Sequence, residues 1–197
     1  FQSWTKNMVL YGLDASLGQF FMNAPETSCL YQLGNFIFPS GQVDPNLWQE
    51  FSKKYSLADK VIISEESSWQ EFLDGQSELG QFTRYAFADK VAFDTDALEK
   101  WQRRLPANYH LCPIDEESYE RLAEEAWSQD LQGDFSGFDH FQAAGGFGFL
   151  LYSGEDIIAG VSTGLVYHGA FEIEIATKPA YQRQGLAKIL GAQMILE

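Results

Sequence analysis

Between Phe171 and Leu190 the chain changes period, and that change restricts the folds open to it. Phe171-Glu172-Ile173-Glu174-Ile175 alternates strictly, as expected of a strand with two unlike faces. Further on, Leu186, Ile189 and Leu190 fall on one helical face. The loop between them runs into Gln182-Arg183-Gln184-Gly185-Leu186-Ala187, a Gln-x-x-Gly-x-Ala pattern. Alone the pattern is weak. Its setting between strand and helix gives it meaning, because small residues at Gly185 and Ala187 let a ligand approach the backbone. The helix N-terminus adds unpaired N–H groups and a positive dipole end, and Arg183 and Lys188 add charge. A junction of this kind suits a pyrophosphate.

Upstream, helix and strand signals alternate without internal repeats. Tyr109–Pro113 reads as a short strand, and Asp115 as the cap of a helix carrying Tyr119, Leu122, Ala123, Ala126 and Trp127. A polar link over 130–144, with one helical turn at Phe138–Gln142, leads to strands over 146–152 and 157–167. Turns at Ser153–Asp156 and His168-Gly169 join these to the strand at Phe171, giving an antiparallel meander. In the first half, Asp44-Pro45 starts a helix with Leu47, Trp48, Phe51 and Tyr55 on one face. Val61-Ile62-Ile63 reads as a buried strand, Ser68–Glu71 as a capping box, and Phe82–Phe87 as a further strand. Asp94 or Thr95 then caps a helix with Leu98, Trp101 and Leu105, which Pro106 ends. Residues 1–106 are thus expected to form an N-terminal α/β region and 107–197 a second domain.

The run Ile173–Leu190, IEIATKPAYQRQGLAKIL, closely resembles the acetyl-CoA-binding motif of the GNAT superfamily of N-acetyltransferases. The order of strand, helix, meander, signature strand, loop and helix agrees with it. The resemblance, which covers Tyr109 onward, implies a mixed, mostly antiparallel α/β sheet flanked by helices and splayed near the signature strand. It implies acetyl-CoA as cosubstrate, with pantetheine contacts at Ile175, Ala176 and Thr177. Pyrophosphate contacts fall on the backbone of Gln182, Arg183, Gln184, Gly185, Leu186 and Ala187, with Lys188 adjacent. GNAT domains continue into a further strand, helix and hairpin that usually supply a tyrosine acid. None of these follows Glu197, and the chain starts at Phe1 rather than Met, so a longer parent protein is expected.

Glu172 and Glu174 share one face of the signature strand and are the candidate general bases, with a solvated face or an acidic wall for a cationic amine as the plainer readings. The acceptor is expected to be a primary amine of a small molecule or peptide; a non-catalytic acyl-CoA sensor or interaction protein is the alternative. The balance of 13 basic against 28 acidic side chains, a net charge of −15, argues against nucleic acid and anionic membrane as partners. No metal site is expected, because His110, His140 and His168 fall on separate elements. Cys29 and Cys112 read as small packing residues, and a cytoplasmic setting follows from so few cysteines. A homodimer is left open.

Overall fold

Two four-stranded sheets carry the chain in a computed structural model that describes residues 4–58, 60–83 and 92–197, with residues 4 and 5 described by backbone alone. The residues cluster into two compact units, 1–87 and 88–197.

The first unit contains α1 (Trp4–Asp14), β1 (Gln19–Met22), β2 (Ser28–Leu33), β3 (Phe36–Gly41), α2 (Pro45–Lys54), β4 (Val61–Ile62) and α3 (Ser67–Asp74). Its sheet runs β1-β2-β3-β4, antiparallel except for the parallel β3–β4 pair. Leu30 and Ile37 of the sheet pack against Trp48 and Phe51 of α2 and Trp69 of α3. Helix α2 starts as its sequence dictates: the Asp44 carboxylate accepts from Asn46 N–H at 2.9 Å and Leu47 N–H at 3.2 Å, with Pro45 at the first helical position. Helix α3 does not use the capping box expected at Ser68–Glu71. Its cap is Glu66, whose carboxylate is drawn off the helix to accept from Ser40 Oγ and Gly41 N–H, both at 3.0 Å. The strand expected over Phe82–Phe87 lies outside the described residues from position 84 on, and Phe82 and Thr83 belong to no regular element.

The second unit contains α4 (Thr95–Gln102), β5 (Tyr109–Pro113), α5 (Glu116–Arg121), α6 (Phe138–Ala143), β6 (Gly148–Ser153), β7 (Asp156–Tyr167), β8 (Ala170–Thr177) and α7 (Leu186–Leu196). Its sheet runs β5-β6-β7-β8 and is antiparallel throughout. Alternation along β6 and β7 sends successive side chains to opposite faces. On one face Phe149, Leu151 and Val161 meet Leu186, Ile189, Leu190 and Met194 of α7. On the other, Leu150 meets Tyr119, Leu122, Phe141 and Leu131, the last from a 3-10 turn over Gln129–Gln132. Each of the larger buried α7 side chains, Leu186, Ile189, Leu190 and Met194, contributes roughly 1.5–3 kcal/mol, enough together to fix the helix, and the loop ahead of it, on the sheet.

Two helices depart from the expected limits. Helix α5 ends at Arg121 rather than reaching Trp127. Glu120, Glu124 and Glu125 would crowd its C-terminus, where the helix dipole disfavours negative charge, and Ser128 Oγ instead donates to Leu122 O at 2.9 Å and to Glu125 O at 3.0 Å. Helix α4 starts at Asp94 as expected but stops at Gln102, ahead of Pro106. It docks on α7, with Gln102 Nε2 donating to Gln193 Oε1 at 2.7 Å, so it stands with the second unit rather than with the residues before it.

Candidate functional site

The loop from β8 to α7 is held at both ends. At its start Lys178 N–H donates to Ile158 O at 2.9 Å, and Lys178 Nζ reaches Glu125 Oε1 and Asp156 Oδ1, each at 2.9 Å. Those two carboxylate contacts push the lysine pKa above its ordinary value. Gln182 Nε2 closes the neck by donating to Thr177 O at 3.2 Å. Beyond it the backbone is left-handed at Arg183 (φ 61°) and at Gly185 (φ 83°), which is the N-cap of α7. A left-handed conformation suits glycine; at an arginine it is a strain that the surroundings must hold. Such alternation of backbone hand turns successive N–H groups toward a common point. Among the described residues, the N–H groups from Arg183 to Ala187 donate to no protein acceptor; Lys188 N–H is the first to find one, Gly185 O at 3.1 Å.

A cleft of about 540 Å³ opens over these groups, lined by Thr177, Tyr181, Gln182, Arg183, Gly185, Leu186, Ala187 and Lys188. Three expected contact residues do not line it. Gln184 is exposed outside the cleft, Ala176 packs against the core cluster around Leu150, and Ile175 is 42% exposed. The backbone of Ile175 and Ala176 pairs with Val161 and Gly160 of β7 on one edge. Among the described residues no strand pairs with the other edge of β8.

Glu172 and Glu174 are brought together over Gly164 of β7. A β-carbon on Gly164 would lie 3.2 Å from Glu174 Oε1 and 3.6 Å from Glu172 Cβ. The register shift between Thr163 and Val166 places this glycine opposite the pair. Burial along β8 is the reverse of apolar-in, polar-out: both glutamates are half-buried, while Phe171 (41%), Ile173 (36%) and Ile175 (42%) are exposed. From the other side Asp134 N–H donates to Gly164 O at 2.7 Å. Burial, with a smaller contribution from Asp130, pushes the Asp134 carboxyl pKa up. The result is an acidic corner on the α5–α6 face of the sheet.

One residue near the cleft was read from sequence only as a core position of a helix. Trp101 of α4 places its ring 3.8 Å from where a β-carbon on Gly185 would stand, and Lys188 Nζ lies 4.9 Å from the ring centroid. Nothing local marks it, since its position depends on docking α4 against a helix some 90 residues later.

A strand end, a left-handed loop rich in unpaired N–H groups and a helix behind it are the arrangement expected of a GNAT fold. The family model for GNAT acetyltransferase matches residues 1–197, and the chain belongs to that family. The match takes in the first unit as well as the second. Among solved structures, a GCN5-related N-acetyltransferase-like protein from Streptococcus suis is 27% identical with a TM-score of 0.80, over 98% of this chain and 79% of that one. A GCN5-related N-acetyltransferase from Kribbella flavida is 12% identical with a TM-score of 0.49, over 95% of this chain and 78% of that one. No curated protein matches. Among the described residues, no helix is long and apolar enough to cross a membrane.

Proposed function

We propose that the protein transfers an acetyl group from acetyl-CoA to a primary amine of a small molecule or peptide by direct attack. The observation that carries this reading is the run of N–H groups from Arg183 to Ala187, without protein acceptors, at the cleft where α7 begins. Acetyl-CoA supplies the activated acetyl thioester. The loop N–H groups and the α7 dipole bind the pyrophosphate, with Arg183 and Lys188 adding charge. The outer edge of β8 offers backbone donors and acceptors along Ile175, Ala176 and Thr177 to the pantetheine arm, and a strand N–H to polarise the thioester carbonyl. Holding both reactants in one site makes the attack effectively unimolecular.

A protonated amine cannot attack, so a group near neutral pH must take its proton. This role is assigned to Glu174, with Glu172 beside it, acting directly or through one water. Both side chains are half-buried over Gly164, at the acidic corner that Asp134 shares.

The test is acetyl-CoA binding by titration calorimetry. Gly185→Glu replaces the residue type best suited to φ 83° and brings a negative charge to the cradle. Ala187→Glu, at an exposed position, brings the charge without the backbone strain. Both variants are expected to lose measurable binding. Unchanged affinity in folded Ala187→Glu protein removes the loop assignment.

A further inference from the structure

Beside Gly185 stands a side-chain cluster that the loop alone does not supply. Lys188 Nζ stands 4.9 Å from the centroid of the Trp101 ring and the Arg104 guanidinium carbon 4.3 Å from it, so one indole gathers two cations beside Gly185. The chain has 28 acidic and 13 basic side chains, so two basic side chains gathered on one indole run against its prevailing charge. Arg103, the neighbour of Arg104, pairs with Glu99, and Lys178 at the loop's start holds two carboxylates. Among the described residues, Arg104, Lys188 and Arg183 make no ion pair. A ring quadrupole holds a cation in place without cancelling its charge, whereas a carboxylate does both. Arg104 and Lys188 are exposed, carry full charge, and are fixed beside the place where the loop would hold its anion.

We propose that Trp101, Arg104 and Lys188 form a recognition site for the 3′-phosphate of CoA. This rests on the reading of the loop as the CoA cradle. CoA carries a diphosphate and, on its ribose, a separate phosphomonoester of about two negative charges. The N–H groups of 183–187 match the diphosphate; two clustered cations match the phosphomonoester. The helix preceding the meander is thereby part of the coenzyme site, and the protein discriminates CoA from dephospho-CoA.

The experiment is calorimetry on the intact protein with CoA and with 3′-dephospho-CoA. The unmodified protein is expected to prefer CoA by about tenfold or more, the scale of a charge-assisted contact. Arg104→Gln should lower CoA affinity by roughly that factor and leave dephospho-CoA affinity within about twofold, whereas Lys188→Gln, which also removes charge beside the diphosphate, should lower both, CoA the more. Trp101→Leu, which releases both cations, should erase most of the preference. Equal binding of the two ligands by the unmodified protein overturns this site while leaving the cradle intact. Variants that lower both affinities in parallel overturn it too. Failure of the unmodified protein to bind either ligand overturns the cradle itself.

Discussion

Gly164 is the residue on which the acidic pair depends. A β-carbon there would stand 3.1 Å from Glu174 Cγ and 3.2 Å from its Oε1, so Gly164→Ala presses that side chain back by a few tenths of an ångström. The neighbouring Gly133, at φ 65°, leaves no slack, because its own β-carbon would lie 2.3 Å from Gly164 O. The expected outcome is a fall in kcat of roughly tenfold or more with acetyl-CoA affinity unchanged. Glu174→Gln should cost about a hundredfold, and Glu172→Gln less if Glu174 is the base. The sign of the pH effect follows from which form is active: a base works deprotonated, so the rate climbs with pH through its pKa. The Gln variant should lose that rising limb. Steady-state rates from pH 5 to 9 decide the matter, and an unaltered limb in both single variants and the double variant moves the base elsewhere.

Among the elements, α5 is the one whose start is most fully specified by neighbouring residues. Ser118 N–H donates to Asp115 Oδ1 at 2.9 Å and Asp115 N–H to Ser118 Oγ at 2.9 Å, a reciprocal box. Asp115→Ala should cost about 1 kcal/mol. The bonds from the Ser118 hydroxyl and then its N–H hold the Asp115 carboxyl below its ordinary pKa. A depressed carboxylate stabilises the fold above its ordinary value, near ~3.9, and loses that contribution as pH falls through the folded value. Urea unfolding should therefore separate the two proteins at pH 7 and bring them together only as pH falls through the lowered folded value. Asp44, Asp94 and Asp115 were legible as caps because a cap is a contact across three residues. The β6–β7–β8 meander and the loop at Gly185 were legible for the same reason, as patterns completed within a short run of chain. The truncation of α5, the Glu66 cap of α3 and the inverted burial of β8 were not. Each is decided by a partner outside the element's own pattern: Ser128, Ser40 and Gly164 respectively. Trp101 is the sharpest case, legible as an apolar helix residue and illegible as a neighbour of Lys188.

Across the whole molecule, the net charge of −15 and the unpaired cations at the cleft act over different distances. A polyanionic ligand meets the net charge first when salt is low, since the screening length is about 30 Å at 0.01 M and about 10 Å at 0.1 M. Arg104, Lys188 and Arg183 govern only the last stretch of the approach. Adding salt from about 10 to about 150 mM should quicken association, by screening the repulsion, and also quicken dissociation, by weakening the local contacts. Stopped-flow measurement of both rate constants checks this, and an association rate that falls steadily with salt shows instead that the local cations steer the encounter. The unneutralised cations at the cleft thus give the protein a capture rate and a residence time that ionic strength drives apart, with fast turnover of bound coenzyme favoured where salt is high.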